Sequence, residues 1–444
     1  MSAKAFCYRA SRRVMAGIEQ DLKLQAGLNY RPTGYNSARV LTLKLADINP
    51  YYLPQILGLR DKLTMWAGLD SETKVRISFQ GTNILIEIPK PPQYWKQVTI
   101  ERLQSRRAIR KGLVATLGEG LQDDPRRIDF REAAMAHVFI TGQTRSGKTN
   151  TQRLIGWNIA HNTTPNEAQI VILDVAKRGY RWRDFAGVTH LAHPVVIDVP
   201  GAEGILAWMT REIERRALSG QITPRIFCLV DELKALVDDS SVAANHLARI
   251  ASVGGEFGLH LILATQYPQI KMLGSAELKR NVTTRLCGKV DDAGAAANAL
   301  GMPDSGAEDL QGYGDFLLRD FSGLTRLTVA QIEERHVAAL PRGEAKSLDL
   351  SEVDAAASAP DLPKAHYHDP DPFEPGPLAM ALFEPMGINR LARTIKDRGL
   401  AETFSNDKAR RYLEFAGLMW EAARQMGYLK LPPSHPGLPS GIRD

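Results

Sequence analysis

The chain has 444 residues, a formal net charge of +6, and hydrophobic and charged fractions of 44% and 24%, the composition of an ordinary water-soluble globular protein with room for several domains. Charge is uneven: residues 1–130 hold 21 Lys/Arg against 12 Asp/Glu, so the front of the chain is basic and suits nucleic acid or an acidic membrane surface. Three cysteines, Cys7, Cys228 and Cys287, share no disulfide or metal-ligand spacing, which excludes a cysteine-stapled scaffold and fits a reducing cytoplasm. No apolar run approaches the roughly 18 residues a membrane helix needs, and no secretory leader is legible.

In chain order, residues 1–38 read as a basic helical lead with a weak stripe of Val14, Ile18 and Leu22. Residues 39–115 read as a small α+β domain: a strand at 40–45, a helix at 53–69, and a hairpin of 75–79 with 84–88 turning at Gly81-Thr82-Asn83. A larger domain is expected over residues 116–344, within which 136–330 alternate short apolar runs with amphipathic stretches, the pattern of a parallel sheet flanked by helices. Strands are expected at 137–141, 169–174, 195–198, 226–231, 259–265, 284–290, 315–318 and 324–329. A linker rich in Ala, Asp and Pro is expected at 345–376. A helical segment follows at 377–444, with helices near Ile388–Asp397 and Ser405–Leu413 separated at Gly399, a candidate helix-turn-helix. The fold class expected is α/β, a small α+β domain followed by a larger α/β core and a helical C-terminal segment.

Gly142-Gln143-Thr144-Arg145-Ser146-Gly147-Lys148-Thr149 fits the phosphate-binding loop pattern, entered by a strand-like run and left by a helix-compatible one. The glycines let successive N–H groups converge on phosphate, and the helix adds its positive N-terminus. Lys148 would reach the β- and γ-phosphates and the Thr149 hydroxyl would ligate Mg²⁺. ATP and Mg²⁺ are the expected cofactors. The apolar run 226–230 ends in Asp231 and Glu232. Asp231 is expected to hold the Mg²⁺ shell and Glu232 to activate the attacking water. The run 259–265 delivers Gln266, expected to sense the γ-phosphate, while His260 within it reads as a core residue.

Several separate stretches resemble the FtsK/SpoIIIE family of hexameric duplex-DNA translocases, in the FtsK–HerA branch of RecA-like ATPases. They are Leu117-Gly118-Glu119-Gly120, Met135–Ile140, Ile172–Lys177, Trp208–Arg216, Gly258–Pro268, Thr283-Thr284-Arg285 and Gly312-Tyr313-Gly314-Asp315, with Ile84–Pro89 in the front domain. The resemblance covers roughly residues 40–335. It implies a homo-oligomer, a ring of six, with duplex DNA in the pore, and an arginine supplied in trans: Arg285 by its place in the motif, with Arg280 as the alternative. Arg145 stands where the family commonly has glycine. The family's cell-division members carry membrane spans and a long linker that this sequence lacks. A compact cytoplasmic motor is therefore expected, for DNA transfer, segregation or movement of a mobile element or phage genome, with any membrane attachment through a partner. The alternative is a secretion ATPase of the same branch acting on proteins, separable by whether DNA stimulates ATP hydrolysis. A partition factor using ATP only as a switch is disfavoured by Glu232.

Overall fold

The computed structural model describes residues 2–22, 32–46, 50–70, 73–266, 276–344 and 346–350. The expected helix-turn-helix, nearly all of the expected linker, and Tyr267-Pro268 lie outside the described residues.

The front of the chain forms helix α1 (Ala3–Asp21), strands β1 (Pro32–Asn36) and β2 (Val40–Leu45), helices α2 (Leu53–Gly58) and α3 (Arg60–Ala67), and strands β3 (Arg76–Gln80) and β4 (Asn83–Pro89). The strands make an antiparallel sheet in the order β1-β2-β4-β3. Phe6, Ala10, Val14 and Ile18 recur every four residues and so share one face of α1. That face is buried in one core with Leu41, Leu43, Ile56, Leu63, Ile86 and Ile88. The N-terminal helix is thus part of the small domain rather than a separate lead. Gly17 lets α1 approach α3, because a Cβ there would stand 2.3 Å from the Trp66 ring. The expected 53–69 helix is two short ones that meet at Leu59.

The second layer system begins with α4 (Ile100–Ser105), β5 (Val114–Gly120), β6 (Pro125–Asp129), β7 (Val138–Thr141), α5 (Lys148–Asn162) and β8 (Ala168–Leu173). Then come α6 (Val199–Ser219), β9 (Arg225–Val230), α7 (Leu233–Asp239), α8 (Ser241–Val253), β10 (Leu259–Thr265), α9 (Ala276–Asn281), β11 (Thr284–Cys287), α10 (Ala293–Leu300), β12 (Asp315–Asp320), β13 (Gly323–Val329) and α11 (Glu334–Ala338). Nine strands run in the order β6-β5-β13-β12-β11-β7-β10-β9-β8. The five from β11 to β8 are parallel; the other four pair antiparallel.

The sheet is therefore mixed, not purely parallel as expected. The expected strand at 195–198 is only a bridge from Val196 to Leu173. Strands β5 and β6 escaped the sequence reading because β5 ends in Leu117-Gly118-Glu119-Gly120 and glycine weakens a strand pattern. Gly118 is required there: a Cβ would lie 2.0 Å from the Thr328 carbonyl oxygen of β13.

Both faces of the parallel strands are covered, which is why they read as unbroken apolar runs. On β9, Phe227 and Leu229 enter one core with Leu154 and Ile155 of α5. Ile226, Cys228 and Val230 enter the other, with Ile205 and Met209 of α6 and Leu247 of α8. Val98, Ile100, Leu103 and Ala108 join the α5-side core, so the chain enters the large domain well before residue 116.

Candidate nucleotide site

Strand β7 ends inside the sheet, and the chain turns at Gly142 (φ +143°) and again at Gly147 (φ +110°) to start α5. A Cβ on Gly142 would stand 2.7 Å from Ser146 Oγ. Arg145 takes φ +67°, a left-handed conformation that disfavours side chains by roughly 1–2 kcal/mol. It is tolerated because the loop is held from outside. The Tyr313 N–H donates to the Arg145 carbonyl (3.1 Å), Gly314 N–H to that of Ser146 (2.7 Å), and Gln143 N–H to the Lys289 carbonyl (2.7 Å). The Lys148 ammonium donates to the carbonyls of Gly142 (2.8 Å) and Gln143 (3.1 Å). Burial lowers its pKa to about 8, Glu232 opposes that shift, and nearby Lys177 adds to it.

The Thr149 hydroxyl lies 3.3 Å from Asp231, which is 3% exposed at the end of β9. Asp231 also pairs with Lys177 Nζ at 3.1 Å. At the end of the neighbouring β8 sits Asp174, which the sequence reading did not assign. It is fully buried, and its Oδ1 accepts the Lys177 N–H. Its Oδ2 has no hydrogen-bond partner. Burial first, then the Asp231 charge, raises its pKa. A hydroxyl and two carboxylates, one with an orphaned oxygen, suit a hard cation such as Mg²⁺. Among the described residues no three His, Cys, Asp or Glu side chains could hold a metal by themselves. That fits Mg²⁺, which usually keeps waters and shares its shell with phosphate oxygens.

Glu232 follows Asp231 at φ +60°, a strained conformation that such sites often store. Its carboxylate accepts from the Gln266 backbone N–H (3.4 Å) and from Gln266 Nε2 (3.1 Å). Gln266 Oε1 in turn accepts from Thr144 Oγ1 at 3.2 Å. One chain of side chains thus runs from the phosphate loop to the acid at the neighbouring strand end. The loop opens on a cleft of about 870 Å³, bordered also by Arg153, Lys177, Tyr180 and Ile332. Asn150 fixes its far wall by donating to the Ala330 carbonyl (2.9 Å) and accepting from Ile332 N–H (3.1 Å). No motif marked Asn150 in advance, and Lys177 closed a family-like stretch with no role assigned; their roles follow from segments far apart in sequence.

Arg285, expected to act in trans on a neighbouring copy, lies outside the cleft of its own chain. In register it lies opposite Phe139, three residues before Gly142. It is 8% exposed, donates to the Val282 carbonyl (3.1 Å), and packs beside Gly301, which ends α10. Its pKa is lowered by burial and by Arg319. Arg280, on α9, is exposed. His260 is buried, with Nδ1 2.8 Å from the Ala136 carbonyl and its ring stacked on Phe227. Cys228 and Cys287 are buried, free cysteines. The Glu212, Arg215 and Arg216 group closes a loop, with Arg216 donating to the carbonyls of Ile222, Pro224 and Phe257.

Residues 100–223 match the FtsK/SpoIIIE family model. The DNA translocase FtsK of Helicobacter pylori strain J99 is 26% identical over 321 residues, 66% of this chain and 37% of that protein. The DNA translocase SftA of Bacillus subtilis strain 168 is 28% identical over 281 residues, 55% of this chain and 28% of that protein. The chain thus spans about a third of the length of these curated relatives. The structure of the pCW3 conjugation coupling protein TcpA, in its monomer form with ATPgS, shares the fold with TM-score 0.50 at 18% identity. The match covers 73% of this chain and 96% of that one. No helix among the described residues is long and apolar enough to cross a membrane. Over residues 100–223, within its P-loop ATPase domain, this chain is similar to the FtsK/SpoIIIE family.

Proposed function

We propose that the chain hydrolyses ATP with Mg²⁺ to drive translocation of duplex DNA, as a cytoplasmic motor that closes into a ring of six. The observation that carries this reading is that Lys148, Thr149 and Gln266 line one cleft at parallel strand ends, with Asp231 in hydrogen-bond reach of Thr149 and Glu232 accepting from Gln266. Phosphoryl transfer needs positioning and charge neutralisation more than covalent chemistry, and these residues supply both. The loop N–H groups and Lys148 bind the β- and γ-phosphates. Thr149, Asp231 and Asp174 would hold Mg²⁺, which when bound neutralises charge developing on the phosphate oxygens. Glu232 takes the proton of the attacking water. Gln266, between Glu232 and Thr144, orients that water and relays the state of the phosphate site to the segment after β10.

A neighbouring copy would supply the last positive charge. Of the two arginines considered, exposed Arg280 is better placed than buried Arg285 to reach across. The basic front of the chain and its similarity to DNA translocases support DNA as the polymer gripped. Contacts to its backbone predict sequence-independent, salt-sensitive movement.

The test is steady-state ATP hydrolysis without DNA, with single strands and with long duplex, using Lys148→Ala as control. Stimulation by duplex that the variant lacks is the expected result. Hydrolysis indifferent to any DNA would refute the DNA motor and return the protein-substrate ATPase of the same branch.

A further inference from the structure

The phosphate loop is held from outside by a device that begins in the small domain. Arg39, just before β2, is 9% exposed, and its guanidinium lies 4.5 Å from the Trp95 ring centroid. One arm donates to the Gly312 carbonyl (3.0 Å) and the other to the Tyr313 carbonyl (2.6 Å). These carbonyls belong to two successive peptide units whose N–H groups, on Tyr313 and Gly314, donate to Arg145 and Ser146 of the phosphate loop. Two parallel hydrogen-bonded chains therefore connect one guanidinium to two successive carbonyls of the loop. Hydrogen bonds in series polarise one another, and neither peptide unit can rotate without breaking a bond at both ends.

The connecting segment is itself conformationally demanding. Gly312, Tyr313 and Gly314 all have positive φ (+73°, +52° and +96°). A Cβ on Gly147 would stand 3.3 Å from Gly314 N, so the two backbones pack directly on each other. The small domain is anchored firmly enough to act on this segment. Glu87 of β4 pairs with Arg76 and, at 2.9 Å, with Arg326 of β13, which also pairs with Asp315 at 2.7 Å. Gln311 Nε2 donates to the Lys90 carbonyl (2.9 Å).

We infer that Arg39 is a positioning residue for nucleotide binding: through residues 312–314 it holds the phosphate loop in its phosphate-binding form and couples the small domain to nucleotide occupancy. The inference rests on the nucleotide reading above and adds the route by which the state of the loop reaches the small domain. Coupling of this kind is reciprocal. Removing Arg39 weakens nucleotide binding, and binding nucleotide alters the surroundings of Arg39 and Trp95.

The experiment titrates the full chain with a fluorescent, non-hydrolysable ATP analogue and Mg²⁺. Arg39→Ala is expected to weaken binding by about tenfold, within the roughly 5–150-fold span of such couplings. Arg39→Lys, which can reach only one of the two carbonyls, should recover part of the loss. In hydrolysis assays KM rises more than kcat falls, because no reacting group is touched. Circular dichroism establishes that each variant is folded. A readout independent of those variants is Trp95 emission, taken as the difference between the wild type and Trp95→Phe with the unlabelled analogue. It is expected to change on binding and to stay constant in Lys148→Ala. Wild-type binding with no change in Trp95 emission, or a folded Arg39→Ala that binds as tightly as the wild type, overturns the inference while leaving the nucleotide reading intact. A wild type that binds no nucleotide overturns both.

Discussion

Replacing Lys148 by methionine should stabilise the nucleotide-free protein while abolishing its response to nucleotide. The ammonium is 8% exposed, and burial brings its pKa from 10.5 to about 8. At roughly 1.36 kcal/mol per pKa unit, that burial costs about 3 kcal/mol of folding stability. Against this stand the two hydrogen bonds from Nζ to the Gly142 and Gln143 carbonyls, at about 1 kcal/mol each. The net expectation is a variant about 1 kcal/mol more stable than the wild type at pH 7. The folded pKa lies below the unfolded one, so the cost is complete below pH ~8 and disappears as pH rises past ~10.4. Between those values the order should reverse, leaving the wild type ahead by about 2 kcal/mol from its hydrogen bonds. An ATP analogue with Mg²⁺ at a hundred times its Kd should add about 2.7 kcal/mol to the wild type and nothing to the variant. Urea unfolding at pH 7 and pH 10.5, with and without the analogue, measures all four quantities. A variant less stable than the wild type at pH 7 without nucleotide would refute the reasoning that a buried, only partly compensated ammonium is held ready for phosphate.

Glu232→Gln keeps the side chain's shape and one of the two hydrogen bonds accepted from Gln266, but not the base, so hydrolysis should fall by about 10²–10⁴-fold while analogue affinity stays within about twofold of wild type; equal loss of both would make Glu232 a binding residue. Glu87→Ala should destabilise by about 3–5 kcal/mol in urea unfolding, the cost typical of breaking a buried ion pair, because Arg76 and Arg326 each lose a buried carboxylate. Burial raises the Glu87 pKa, but Arg76, Arg326 and Ser78 outweigh it and hold the group below its usual value. Its contribution is therefore present above pH ~4.3 and lost as acid carries the solution through the folded pKa, so the variant should show a flatter acid limb. A loss below about 1 kcal/mol would argue against the network as the anchor between the domains.

Wherever a signal was local, the residues declared it. The phosphate loop is contiguous, so its glycines, Lys148 and Thr149 could be read together with the strand before and the helix after. The runs at 226–230 and 259–265 were legible because parallel strands covered on both faces must be apolar along their whole length, and each ended in a polar residue, Asp231 beside Thr149 and Gln266 lining the cleft. The helix α1 stripe was visible too, but not what it packs on.

What the sequence could not show were pairings between distant segments. Asp174 is an unremarkable strand-end acid until β8 lies beside β9 and its Oδ2 is left unpartnered next to Asp231. Arg285 sits in a family-like motif, but its burial on β11 beside β7 follows from strand register that no motif shows. The antiparallel half of the sheet depends on the Gly118 contact with Thr328, and the hold on the phosphate loop depends on Arg39 meeting Gly312 and Tyr313, 273 and 274 residues away. The sequence by itself determined the nucleotide-binding chemistry, because short-range backbone geometry fixes a phosphate loop. Only the tertiary structure decided which acids, arginines and glycines serve it, because strand register and close backbone approach are set by contacts that no local window contains.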